Sequence, residues 1–159
     1  MDSISKNQSL ILYILDYRRS ATITELMKIA YLSDYMSFQQ FKRQITSFSY
    51  IRYYHSPFDS DLCNEVEDLL KRGYASSEVD FSPSGQEFIK YIPILEIEEI
   101  NISLTENDTE VISNVLNELR GCGAKVLTEI TYKTAPMKAL GATMQNTEGI
   151  NQQLDFNKI

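Results

Sequence analysis

Apolar residues recur along this chain in two rhythms, and the changes of rhythm mark its elements. Leu10, Ile11, Ile14 and Leu15 fall on one side of a helix over residues 9–19. Thr22 and Glu25 have capping-box spacing, so each side chain can accept from a free amide at the other's position. The helix they start runs to about residue 35 and turns Leu26, Ile29, Ala30 and Leu32 inward. A short third helix carrying Lys42 and Arg43 is expected over 38–45.

The stretch 48–74 then combines a strand, a corner and a helix. Phe48, Tyr50, Ile51, Tyr53 and Tyr54 favour an extended chain, because aromatic and β-branched side chains suit a pleated, half-buried surface. Pro57 fixes its own φ and pushes Ser56 out of the α region. Asp59 is placed as an N-cap, and Leu62, Val66, Leu69 and Leu70 follow at helical spacing. Asp61, Glu65, Glu67 and Asp68 face water, and Gly73 ends the helix. Strand alternation sets Phe48, Tyr50, Arg52 and Tyr54 on one face and Ile51, Tyr53 and His55 on the other. The face bearing Tyr50, Arg52 and Tyr54 is the one expected to meet solvent.

Beyond the corner, residues 74–81 read as a strand or hairpin lying beside the 48–54 strand. Ser82 and Pro83 suit the start of a helix with Phe88, Ile89 and Ile92 on its apolar side, ended by Pro93. Residues 94–103 alternate Ile or Leu with Glu and fit either an edge strand or an acidic linker. A helix over 105–120 is capped by Thr105 and Asp108, carries Val111, Ile112, Val115, Leu116 and Leu119 as its stripe, and stops at Gly121. Another over 124–134 is kept short by Pro136. The polar segment 141–159, anchored only by Ile150, Leu154, Phe156 and Ile159, is expected to be loose until something binds. The order of elements predicts a mostly helical α+β fold. It has a winged-helix-like half with a small antiparallel sheet over 22–93 and a helical hairpin over 104–135. Both lie in one domain, 1–140, with 141–159 as a tail.

Charge narrows the function. The net charge is −7. Residues 1–54 carry seven Lys/Arg against four Asp/Glu, whereas 55–120 carry four against fifteen. Such an acidic middle repels phosphate and opposes binding driven by counterion release. A basic or ring-bearing protein surface is the better match. No apolar run reaches the ~20 residues of a membrane span, and the N-terminus lacks a secretory pattern, so the expected setting is cytoplasmic. Cys63 and Cys122 form neither a disulfide framework nor a metal-ligand spacing.

Catalytic candidates dissolve on inspection. His55 is the only histidine and has no Asp, Glu or Cys cluster around it at ligand spacing. Helix capping accounts for Asp59, and a solvated face accounts for Glu96, Glu98 and Glu99. No enzyme, metal or cofactor is expected. The expected partner-binding set is Tyr50, Arg52, Tyr54, His55 and Phe58 as anchors, with Asp59, Asp61 and Glu65 as a charged rim. The competing set is a basic cluster of Lys42, Arg43 and Arg52 that would serve a DNA-binding regulator. Against it, the helix best placed to enter a groove is acidic. A homo-oligomer stays open.

Four segments together resemble one family. LMKIAYLSDY supplies Lys28, Ile29, Tyr31, Leu32 and Asp34; YYHSPFDSDL supplies Pro57, Phe58 and Asp59. LTENDTEVISNVLNEL and VLTEITYKTAP supply Leu104, Thr105, Asp108, Leu127 and Thr128. In this order they resemble the Panacea domain, also called the SocA-like antitoxin domain. Ser56 stands where the family has glycine, and the chain has no tryptophan. The resemblance implies a bacterial or phage protein that neutralises a toxin, or an adaptor that presents a partner to a protease. Readings beside it are an accessory subunit of an anti-phage or mobile-element complex and the DNA-binding regulator.

Overall fold

The structure, a computed structural model, describes residues 4–158. Among them, six helices and two two-stranded antiparallel sheets make a mostly helical α+β fold. Helix α1 (Lys6–Arg18) is capped by Ser5, whose hydroxyl accepts from the Gln8 amide at 3.1 Å. Helix α2 (Ile23–Phe41) begins on the expected capping box. Glu25 accepts from the Thr22 amide at 2.9 Å, and Thr22 Oγ1 accepts from the Glu25 amide at 3.2 Å. Residues Leu26 to Asp34 of α2 are all buried, which is the signature of a helix packed on every side. Around it sit α1, α4 (Glu106–Glu118) and α5 (Ala124–Tyr132).

The short helix expected over 38–45 does not exist as a separate element. Helix α2 continues to Phe41 and stops where Lys42 takes a left-handed conformation, φ 59°. The aromatic stretch is also less of a strand than its composition suggests. Strand β1 is only Ile51–Arg52, and β2 is Pro57–Phe58, paired Ile51 to Phe58 and Arg52 to Pro57. Asp59 then caps α3 (Ser60–Lys71), accepting from the Asp61 amide at 3.0 Å.

The helix expected after Ser82-Pro83 is instead a strand. Strands β3 (Ala75–Phe81) and β4 (Glu87–Pro93) form a hairpin seven residues deep, and β3 pairs with β4 rather than with the corner. Phe88, Ile89 and Ile92 satisfy helical spacing, but the run FIKYI is rich in strand formers and finds a complementary partner in β3. Ser82 and Pro83 belong to the connecting loop. Ser82 Oγ accepts from the Gln86 amide at 3.1 Å, and Gly85 supplies the positive φ of 85°. The inner end of β4 is tied to the body by Tyr91, which exchanges two backbone bonds with Ala21 at 3.0 and 2.8 Å.

Residues 94–103 are neither edge strand nor linker. They contain a 3₁₀ turn, Ile97–Glu99, fastened to α1 where Asp16 accepts from the Ile97 amide at 3.1 Å. Helix α4 carries the expected Thr105–Asp108 box, and α6 (Ala135–Ala139) has proline in its first turn.

The tail is not loose. Backbone bonds from Arg52 to Gln152 (2.9 Å), Asn151 to Arg52 (2.7 Å) and Leu154 to Tyr50 (2.9 Å) lay it along β1. Phe156 then enters a cluster of Tyr31, Tyr35, Phe38 and Tyr50, with ring centroids 5.6–6.2 Å away. Leu154 and Phe156 suffice as apolar anchors because backbone bonds to β1 and the ring cluster hold the segment with them. Ile159, expected as a further anchor, lies outside the described residues. Phe156→Ala should cost about 3 kcal/mol through cavity formation, read as a lower urea midpoint at unchanged m.

Candidate functional site

The corner between β1 and β2 is built upward from a buried carboxylate. Asp34, on α2, is fully buried and accepts four hydrogen bonds: the amides of Ile45 (2.9 Å) and Thr46 (3.0 Å), the Thr46 hydroxyl (2.6 Å) and the Tyr50 hydroxyl (2.8 Å). Desolvation is the dominant influence and raises its pKa; the donors from Thr46, Tyr50 and Ile45 counteract it. Burial, and then the charge of Asp34, push the Tyr50 phenol upward as well. The group thus fixes the loop after α2 and delivers Tyr50 into the core.

Two residues on, Arg52 is completely buried. Its Nη1 donates to the carbonyls of Tyr53 and of Tyr54, the latter at 3.2 Å. Its Nη2 donates to the carbonyls of Thr143 (3.0 Å) and Asn146 (2.8 Å). The guanidinium lies over the Tyr132 ring, 5.2 Å from its centroid. No carboxylate among the described residues pairs with it. Carbonyl dipoles and one aromatic face replace the counterion, and the planar fork joins the corner to the tail.

Tyr50 and Arg52, expected at the surface, are therefore core residues. The parity of the strand was right, but its inner and outer faces are reversed. Alternation also fails beyond Arg52, because β1 ends there and the chain turns. The Tyr53 amide donates to the Ser56 carbonyl at 3.0 Å, closing a tight tip. Tyr53, Tyr54 and His55 project from it, the two tyrosines 43% and 56% exposed. Their rings meet edge to face at 5.2 Å, and Tyr53 also lies 5.2 Å from Phe58.

Phe58 continues into a small apolar cleft of about 60 Å³, lined with Ser56 by Ile23, Thr24, Met27 and Cys63. Asp59 has both carboxylate oxygens engaged, one by the Asp61 amide and one by the Ser49 amide at 2.7 Å. Asp61 is exposed near the corner, whereas Glu65 lies on the flank of α3 that faces α1, within 3.5 Å of Ser5 Oγ. Burial, followed by the neighbouring Asp68, raises the Glu65 pKa. Glu67 is exposed one turn after Cys63, and its charge adds to burial in raising the pKa of both Cys63 and Tyr91. Its place one turn after Cys63 was the available signal.

The basic candidates do not converge. Lys42 is exposed at the end of α2, and Arg43 reaches toward Asp108 at 3.7 Å. Arg52 is sealed beneath the corner. A cavity of about 640 Å³ is lined by Tyr17, Arg18, Ser20, Glu25, Arg120 and Gly121. Arg18 in its wall is already committed to Glu25 at 3.1 Å and to the Cys122 carbonyl at 3.0 Å. No helix among the described residues is long and apolar enough to cross a membrane.

The model of the antitoxin SocA-like, Panacea domain family matches residues 26–136, more than half of the chain. The chain belongs to that family. No curated protein and no solved structure matches it.

The geometry accounts for several residues of the Panacea motif. Tyr31 donates to or accepts from Thr134 at 2.7 Å inside the aromatic core, and Lys28 donates to the Ala124 carbonyl at 3.4 Å. Desolvation lowers the Lys28 pKa, opposed by Glu25. Asp108 closes the α4 box and pairs with Lys6 at 3.0 Å. Burial works to raise its pKa, but bonds from Thr105 and Lys6 bring the net shift below the ordinary range. Ser56, in the glycine position, has no positive φ, so this corner does not need glycine.

Arg52→Met should lower stability by about 2–3 kcal/mol in urea unfolding, because four carbonyls lose their donor. Asp34→Ala should cost a similar amount, whereas Asp34→Asn should cost less, since hydroxyls of Thr46 and Tyr50 can turn to accept from its amide. The raised Asp34 pKa means that its stabilisation is complete below about pH 4 and is lost as the pH rises through the folded value. Wild type compared with Asp34→Asn at pH 4 and 7.5 should thus show the variant gaining relative stability at the higher pH.

Proposed function

We propose that this Panacea domain acts as an antitoxin, neutralising a protein toxin by non-covalent binding through the corner. The contact surface is Tyr53, Tyr54, His55 and Phe58, with the cleft beside Phe58 and the acids Asp61 and Glu67 around it. Asp59 and Glu65 support or border this surface rather than anchor it. One observation carries the reading: two tyrosines stand exposed on a tip whose carbonyls are held from beneath by Arg52. Large exposed rings on a pre-ordered backbone suit binding, because little entropy remains to be lost when a partner covers them. The acidic middle of the chain favours a basic partner surface.

Direct DNA binding is disfavoured by the burial of Arg52, by Asp108 lying 3.7 Å from Arg43, and by the acids of α3. A permanent accessory subunit would use the same chemistry and differ in the size of the buried interface.

Co-expression with the product of the adjacent reading frame should yield a complex and relieve that product's toxicity. Tyr54→Ala should weaken the purified complex by about tenfold or more, with the melting temperature of the free domain unchanged. Asp61→Lys should act mainly by slowing association at low salt. Wild-type affinity and association rate in both variants would remove the corner from the interface.

A further inference from the structure

The β3–β4 hairpin projects as an arm whose amides and side chains specify what can lie beside it. Tyr74 and Ile94 bracket its base through a backbone bond of 3.1 Å, and Ser82 and Gln86 bracket its tip at 2.8 Å. With the register Ser76–Ile92, Glu78–Lys90 and Asp80–Phe88, the even-numbered residues of β3 turn their backbone groups toward β4. The odd-numbered residues turn theirs outward. The same rule sends Tyr91 of β4 outward, and Tyr91 does bond to Ala21 there. The outer edge of β3 therefore presents the N–H and C=O of Ser77 and Val79. No described residue bonds to them, and the Phe81 amide is taken by Asp80 Oδ1 at 2.8 Å.

The two faces of the arm differ. One bears Val79, Phe81 and Ile89, exposed by 55, 62 and 52%, with Glu87 opposite Phe81 at its outer end and Tyr91 toward the body. The other bears Glu78 and Asp80, with Lys90 between them at 3.9 and 3.1 Å. One cation against two acids leaves net negative charge. A strand added to β3 would place alternate side chains beside Val79 and Phe81 and the intervening ones beside Glu78 and Asp80.

We infer that the free edge of β3 is a second docking element, which takes an extended partner segment of alternating apolar and basic residues by β-strand addition. Self-pairing is opposed by charge: antiparallel registers centred on Glu78, Val79 or Asp80 each set acid against acid across the two copies. The arm is separate from the Tyr53–Tyr54 tip, and the inference takes from the antitoxin reading only that the partner is a protein.

A fluorescent peptide of alternating lysine and valine serves as the probe, with an alternating glutamate and valine peptide for comparison, read by anisotropy at low salt. Wild type should bind the lysine peptide saturably and not the glutamate peptide. Val79→Pro removes an outward amide and no bond to β4, and should weaken binding by about tenfold or more. Tyr54→Ala should bind the peptide as wild type does, so failure at the corner and failure at the arm read separately. As a check independent of the proline, a lysine peptide N-methylated at the amides facing β3 should lose binding to wild type. Retained binding by Val79→Pro or by the methylated peptide, no binding by wild type, or equal binding of the glutamate peptide would each overturn the proposal. So would a wild-type dimer in sedimentation that Val79→Pro converts to monomer, since the occupant would then be a second copy.

Discussion

A guanidinium buried with no carboxylate partner among the described residues is the constraint on which the rest of this molecule depends. Backbone carbonyls and the Tyr132 ring surround the Arg52 guanidinium and replace the water that burial removes. Two of those carbonyls belong to the tip and two to the segment after α6. Bonding the two terminal nitrogens of one side chain therefore fixes the shape of the tip and the course of the tail together, while its Nε finds no acceptor among the described residues. The fork geometry matters as much as the charge, since a lysine ammonium presents no comparable planar pair of donors.

Asp34 has the complementary role. It is a carboxyl group fed by donors, and it holds the loop before β1 much as Arg52 holds the loop after it. Between the two lies Tyr50, whose ring packs against Tyr31 and Phe156 while its hydroxyl reaches Asp34. Such networks carry a high penalty for partial disruption, because each remaining polar group is left unpaired in a low dielectric. This explains why a domain with only two-residue strands at its corner can still present a defined surface.

Helices were legible in the sequence where capping and stripe agreed, as at Thr22–Glu25, Asp59 and Thr105–Asp108. The FIKYI run was not, because its spacing satisfies both periods and only the presence of β3 decides between them. The tail was misread for a related reason: Leu154 and Phe156 look sparse until the cluster of Tyr31, Tyr35, Phe38 and Tyr50 exists to receive Phe156. At the corner, period two gave the pairing of Tyr50 with Arg52 but not the side on which they fall. An arginine between two tyrosines reads as surface by composition, and only four converging carbonyls make it interior. Tyr54, His55 and Phe58 kept their expected accessible or partly accessible positions, Tyr53 joined them from the opposite side of its element, and Glu67 stayed on the water-facing side where its helix pattern put it.

The functional consequence is a division of labour within a small Panacea domain. Buried polar groups are spent on fixing backbone, and the rings left outside are free to contact another protein. If that is how the corner works, its tip must be ordered before any partner arrives. Backbone ¹⁵N relaxation of the free domain measures this directly. The account predicts order parameters of about 0.85 for the amides of Tyr53, Tyr54, His55 and Ser56, equal to those of the helices. Values below about 0.6 for these amides would mean that Arg52 does not hold the tip, and would contradict it.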